Sequence, residues 1–335
     1  MNMTRHRSLG LLAFIAAFCF SAAASFSGEK RTFFLTEDLS IGTESEDDNL
    51  IFASVASIGL DATGNIYILD WAGGKIRVQV FDPKGKFMKS IALPQGQGPA
   101  EVGDNGAAVA VGPAGTVFVL DKGGRKVILF DKNGTYLRLF KVDFEASDIG
   151  YLNGDKLIIL GLNHGKILHL YDKDGRLLES FGEPFEVPSK LSQYKDIPSL
   201  RYPMLFSSSP DGSIYVLNPH RFEVSIFKDA KLIGEVEGRS DLFEPVRVTP
   251  PVQGGFSIFF PILTVLKSGE RLYVTVRHRA FKKDEQNEMI VYENNKRVGS
   301  LTLPGMPLAI DGQGRLYCSE ETDFPRLARY VVREK

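Results

Sequence analysis

Short apolar runs rich in Val, Ile, Leu, Phe and Tyr recur along the chain, each bounded by a turn built from Gly, Asp, Asn or Pro. Runs of this kind between such turns are strand signals. The clearest example spans residues 112–133. There the runs 116–120 and 127–130 are separated by Gly123-Gly124 and closed by the hairpin signal Asp131-Lys132-Asn133-Gly134. A unit with two apolar faces cannot bury both alone, so it must stack on copies of itself.

The same grammar gives five complete four-strand units. The first takes strands at 53–60, 65–70, 76–81 and 87–93, and the second at 107–111, 116–120, 127–130 and 136–142. The third takes 148–152, 157–160, 167–171 and 177–181, the fourth 205–209, 214–217, 224–227 and 232–236, and the fifth 262–266, 272–276, 289–292 and 298–303. A sixth unit offers only 308–310, 316–319 and 328–332, while an unpartnered strand around Phe33-Phe34 stands at the start. Joining that strand to the last unit completes it and leaves no open end. Equivalent second-strand residues, Tyr67, Phe118, Ile158, Tyr215, Tyr273 and Tyr317, lie 51, 40, 57, 58 and 44 residues apart. So uneven a period fits blades joined by loops of different length better than a solenoid.

The expected fold is therefore all-β: a six-bladed β-propeller of four-stranded antiparallel blades, closed by the N-terminal strand 31–37 joining the last blade. The blades are expected at 52–93, 106–142, 146–182, 204–237, 262–303 and 306–335, forming one domain over 25–335.

Composition adds two points. Forty basic and 41 acidic residues nearly cancel without a long run of either sign, so no nucleic-acid footprint is expected. Arg5 and Arg7 precede an apolar run from Leu9 to Phe20, and Ala22-Ala23-Ala24 follows, which reads as a secretory signal over 1–24 cleaved near Ala24. The run is too short to span a bilayer comfortably, so no membrane span is expected. A periplasmic or secreted monomer is the expectation. Cleavage removes Cys19 and leaves Cys318 alone in a strand-like run, as a small buried residue without a disulfide.

Asp61-Ala62-Thr63-Gly64-Asn65-Ile66-Tyr67-Ile68-Leu69-Asp70, Val80-Phe81-Asp82-Pro83-Lys84-Gly85 and Gly96-Gln97-Gly98-Pro99-Ala100-Glu101 together resemble the NHL-repeat family of six-bladed β-propellers. The chain is most similar to secreted bacterial proteins known simply as 6-bladed β-propeller proteins. Ala100 departs from that motif by replacing its second glycine. The resemblance implies the fold and leaves the chemistry open, because propellers host unrelated functions.

In such a fold the loops entering each innermost strand share one face with the loops joining second and third strands. The longest are 183–203, 238–261 and 277–287, all serving blades four and five, so function is expected on that side. The regular second unit reads as scaffold. Candidate ligand-binding residues are Arg201, Tyr202, His220, Arg221, Phe260, Arg277, His278 and Met306. They form a basic rim, extended by Arg239, Arg247, Arg279, Lys282 and Lys283, around an apolar mouth that includes Phe206 and Phe259.

His164, His220 and His278 follow their anchors by 6, 5 and 5 residues, which raises a zinc site like that of the amidating lyases. The inner-strand starts Tyr202-Pro203, Phe260-Pro261 and Met306-Pro307 lack the Pro-His that this comparison requires, so no metal and no cofactor is expected. Asp82, Asp131 and Asp172 read as turn residues rather than calcium ligands. No P-loop, His-Glu-x-x-His or Gly-x-Ser-x-Gly occurs, and no catalytic residue is assigned. The expected function is a binding scaffold holding a protein or small molecule on the loop face. The alternative is a lactonase-like or amidating-lyase-like enzyme, toward which only Asp148 and Asn105 stand near inner-strand starts.

Overall fold

The computed structural model describes residues 31–45, 47–72, 75–238, 240, 243–252, 255–277 and 287–335. The signal segment 1–24, Cys19, Arg239, His278, Arg279, Lys282 and Lys283 lie outside them.

β1 (Arg31–Ile41) opens the fold. Blade one is β2 (Val55–Leu60), β3 (Ile66–Ala72), β4 (Lys75–Phe81) and β5 (Phe87–Ala92), and blade two is β6 (Ala107–Val111), β7 (Val117–Asp121), β8 (Lys126–Phe130) and β9 (Tyr136–Lys141). Blade three is β10 (Ala146–Leu152), β11 (Lys156–Asn163), β12 (Lys166–Asp172) and β13 (Leu177–Phe181), and blade four is β14 (Phe206–Ser208), β15 (Ile214–Leu217), β16 (Glu223–Lys228) and β17 (Lys231–Glu237). An inserted hairpin, β18 (Arg247–Val252) and β19 (Gly255–Phe259), precedes blade five: β20 (Ile262–Ser268), β21 (Arg271–Val276), β22 (Asn287–Glu293) and β23 (Lys296–Leu303). Blade six is β24 (Met306–Ile310), β25 (Arg315–Glu321), β26 (Pro325–Glu334) and β1.

Every blade is an antiparallel meander, and β1 occupies the outermost place of blade six, antiparallel to β26 from Phe33↔Glu334 to Ile41↔Leu327. Its first two residues also pair in parallel with Gly299 and Ser300 of β23, so the N-terminal strand joins blade five to blade six. Arg329 donates to both carboxylate oxygens of Asp38, at 2.8 and 3.2 Å, which fixes this register from the side-chain level.

The core is six separate seams, one between each pair of neighbouring blades. The seam of blade six with blade one, built on Ile41, Phe52, Ile66, Phe81 and Tyr317, closes the ring. The anchor residues Tyr67, Phe118, Ile158, Tyr215, Tyr273 and Tyr317 are all buried in these seams. Each third strand sends an aromatic toward the preceding blade: Phe81, Phe130, Tyr171, Phe227, Tyr292 and Tyr330. Near the axis the inner strands converge, and small residues are needed. A Cβ added to Gly150 would lie 2.7 Å from Phe206 of the next blade.

Polar ties hold the loop face to the sheets. Asp70, at the end of β3, accepts from the backbone N–H groups of Ala53 and Ser54 at 2.9 and 3.2 Å and from Arg77 Nε at 3.0 Å. Asp121 repeats this in blade two, accepting from Gly103 N–H and Gly124 N–H and pairing with Lys126 at 3.6 Å. Lys126 Nζ in turn donates to the Gly98 carbonyl, and Glu101 accepts from Gly98 N–H at 2.7 Å. The Gly96–Glu101 motif is thus a loop clasp. On the opposite face, one oxygen each of Asp82, Asp131 and Asp172 accepts from the amides two and four residues on, with Gly85, Gly134 and Gly175 at positive φ. These hydrogen bonds hold all three carboxyls below their ordinary range.

Asp70 and Arg77 are both buried, so removing one strands the other without solvent. Asp70→Ala is expected to cost about 3–5 kcal/mol in urea unfolding, whereas Asp82→Ala at an exposed turn costs about 1 kcal/mol. Equal costs would contradict this view of the ties.

Candidate functional site

The two long entering loops of blades four and five are not irregular, as the sequence reading had them. Residues 183–203 carry 3₁₀ turns at Ser189–Tyr194 and Pro198–Leu200, and 238–261 carries the hairpin β18–β19. Leu191, Leu200 and Val246 form a small core of their own, with Tyr194, Ile258 and Phe260 packed on it. The insertions therefore build an extra layer over one side of the loop face.

Several expected contact residues belong to the support of this layer. Tyr202 is buried with Phe206 in the seam of blades three and four, and burial raises its phenol pKa. Phe260 packs into the small core, and Phe259 lies under the guanidiniums of Arg247 and Arg277 at 5.1 and 6.0 Å. His220 Nε2 donates to the Leu200 carbonyl at 2.6 Å, tying blade four to the 3₁₀ turns, and burial lowers its pKa. The open apolar mouth expected from these aromatics is thus replaced by packing: each side chain finds a seam or the inserted layer before it finds solvent. Arg201 is half-buried at the end of the second 3₁₀ turn, Arg221 is exposed, and Met306 begins β24 half-buried.

His164 and His220 do not share a site. His164 is exposed at φ +45° in the turn between β11 and β12, and among the described residues no three His, Cys, Asp or Glu are grouped to hold a metal. Cys318 is fully buried, and burial pushes its thiol above the ordinary range.

What the loop face does assemble is the mouth of the central channel. The innermost strands of all six blades line a cavity of about 280 Å³, walled mostly by small residues such as Ala56, Gly59, Ala108 and Gly150. Two charged side chains reach it, Lys122 and Asp148. Lys122 comes from the Gly-rich turn of blade two, where its amide donates to the Gly106 carbonyl at 3.1 Å. Asp148 follows a bulge between Ala146 and Asp148 that re-aims β10. Its carboxylate accepts from Ile149 N–H at 2.9 Å and from Phe206 N–H at 3.4 Å.

The two charges influence each other but stand further apart than the 4.0 Å of an ion pair, and the Lys122 ammonium has no hydrogen-bond partner among the described residues. Burial pushes the Asp148 carboxyl up to about 6, against the pull of Lys122, and pushes the Lys122 ammonium down. Asn105, the other residue singled out near an inner-strand start, is exposed and packs on Gly123. The unit that reads as pure scaffold thus supplies one of the two channel charges. Its regular spacing hid Lys122, because only the closed ring shows where that turn points.

A family model described as a 6-bladed beta-propeller (DUF5128) matches residues 41–197. The chain is a six-bladed β-propeller. Solved structures agree on this fold. A member of the DUF4221 family from Bacteroides vulgatus superposes with a TM-score of 0.61 at 11% identity, over 92% of this chain and 99% of its own. A protein from Bacteroides fragilis named "Putative exported protein" gives 0.57 at 12% identity, over 90% and 95%. Virginiamycin B lyase from Staphylococcus aureus gives 0.53 at 12% identity, over 90% and 99%. At these identities the likeness concerns the propeller fold alone. No curated protein matches the sequence. Among the described residues no helix is long and apolar enough to cross a membrane.

Because the folded value of Asp148 lies above the ordinary 3.8, the propeller holds this proton more tightly than the unfolded chain does. Its contribution to stability is complete below about pH 4 and is lost as pH rises through about 6, by at most about 3 kcal/mol since the carboxyl touches channel water. Urea unfolding at pH 4.5 and 7 is expected to show wild type losing about 1–3 kcal/mol more than Asp148→Asn across that window. Parallel behaviour of the two would show that Asp148 is not desolvated.

Proposed function

We propose that this propeller is an exported binding protein that holds a small polar ligand at the loop-face mouth of its channel. One observation carries the reading: Lys122 and Asp148 face the same small cavity with opposite charge and do not neutralise each other. Desolvating both charges without pairing them costs stability, and a ligand placed between them recovers that cost. The ligand must accept from an ammonium and donate to a carboxylate. A free α-amino acid does both, its carboxylate toward Lys122 and its ammonium toward Asp148, and a cavity of about 280 Å³ suits a molecule of that size.

The inserted layer on blades four and five supports the same face, and the rim residues Arg201, Arg221 and Arg277 with His278 stand as its outer contacts in this reading. Export rests on the apolar segment before Ala24, and the name of the Bacteroides fragilis neighbour carries the word exported. The repeat motif Asp61–Asp70 supports an NHL-like origin for the blades. A lyase or hydrolase reading has one observation behind it, namely that a carboxyl at about 6 is poised as a general base. It lacks a grouped nucleophile or metal set among the described residues.

Titration calorimetry against the common amino acids is expected to find saturable binding to wild type. Lys122→Met and Asp148→Asn should each weaken it by roughly tenfold or more, the loss of one charged hydrogen bond. Binding that survives both substitutions would remove the channel mouth from the function.

A further inference from the structure

The six third strands share one pattern on the face toward the preceding blade, and blade four breaks it. Two residues before each aromatic stand Gln79, Ile128, His169, Ser225, Ile290 and Ala328. Five of these are sealed at 0% exposure, and Ser225 alone retains 5%. Where the side chain is large it fills the seam, as His169 does against Phe144 at 4.2 Å while bonding Ser180 and Gly161. Ala328 is small but lies inside the apolar seam of blades five and six. Ser225 instead opens on a groove of about 510 Å³ between blades three and four.

Strand alternation fixes the direction of the Ser225 side chain. Val224 packs toward blade five, whereas Phe227 packs toward blade three, so Glu223, Ser225 and Phe227 share the groove face. The Ser225 hydroxyl is more than nine-tenths buried, lines the groove and has no hydrogen-bond partner among the described residues. A buried hydroxyl left unmade is a standing cost.

The charge on these strands is also reversed. Where blades one and two begin the third strand with Arg77 and Lys126, blade four has Glu223. Glu223 lies directly opposite Glu237, and Ser225 opposite Glu235. Like charges facing across a strand pair destabilise it. Glu235 and Glu186 line the groove with no ion-pair partner among the described residues, while the one lysine there, Lys166, is tied to Glu183. The floor is apolar, from Phe181, Phe185 and Phe227.

We propose that the groove between blades three and four is a second binding site, for an organic cation whose ammonium or guanidinium group sits on an apolar body. The cation meets Glu235 and Glu223, its apolar body lies on Phe227 and Phe185, and a donor N–H satisfies the Ser225 hydroxyl. The cavity volume falls in the range that accommodates small-molecule ligands. This site is separate from the channel mouth and does not depend on it.

Phenethylamine is the probe, with 2-phenylethanol as its neutral counterpart, titrated into the isotopically labelled full-length exported chain by amide-resolved NMR. Saturable shifts centred on Gly182, Ser225 and Glu235 are expected, with the alcohol at least roughly tenfold weaker. Ser225→Ile, which restores the filled pattern of blades two and five, should abolish the shifts while leaving the thermal midpoint unchanged or raised. Glu235→Gln, an exposed change that does not threaten folding, should weaken the amine several-fold and leave the alcohol as it was. Absence of saturable shifts, equal binding of amine and alcohol, or unaltered amine binding to Glu235→Gln would overturn the proposal.

Discussion

A four-stranded blade has two apolar faces, and it can bury both only between two neighbours. Ring closure is therefore the constraint on which the rest depends. β1 meets it by becoming the outer strand of blade six and by touching β23 of blade five, so the two ends of the chain are held in one sheet system. Everything functional inherits its geometry from that closure. Lys122 and Asp148 belong to different blades, and only a closed ring of six brings both to one channel.

The periodic part of this architecture was legible in the sequence. The anchors Tyr67 to Tyr317 and the Asp-x-x-Gly turns recur because each blade solves the same burial problem with the same residues. The closing strand was legible too, since the last unit lacked a fourth strand and Phe33-Phe34 lacked a partner. The aperiodic parts were not legible. The hairpin β18–β19 contains Pro250-Pro251, which removes two ladder donors and reads as loop, and its strands are held by the inserted layer rather than by any repeat.

The site was misread for a related reason. Aromatic residues near inner-strand starts, such as Tyr202 and Phe260, look like a ligand mouth in one dimension but have a closer apolar partner in three. Lys122 sits in the most regular unit, where regularity argued for scaffold, and Ser225 in a strand looks like an ordinary solvent-facing residue. Both are revealed by what surrounds them: a channel in one case, an unfilled seam in the other. A repeat protein offers its own controls, because five equivalent positions show what the sixth would look like without a function.

The channel mouth and the blade three–four groove share one physical signature, polar groups desolvated or repelled without a partner inside the protein. The most direct test of that account is a crystal structure of the full exported chain with the best-binding amino acid. The account predicts density between Lys122 Nζ and the Asp148 carboxylate, within hydrogen-bond distance of both. An empty channel with the amino acid bound elsewhere on the loop face would contradict it.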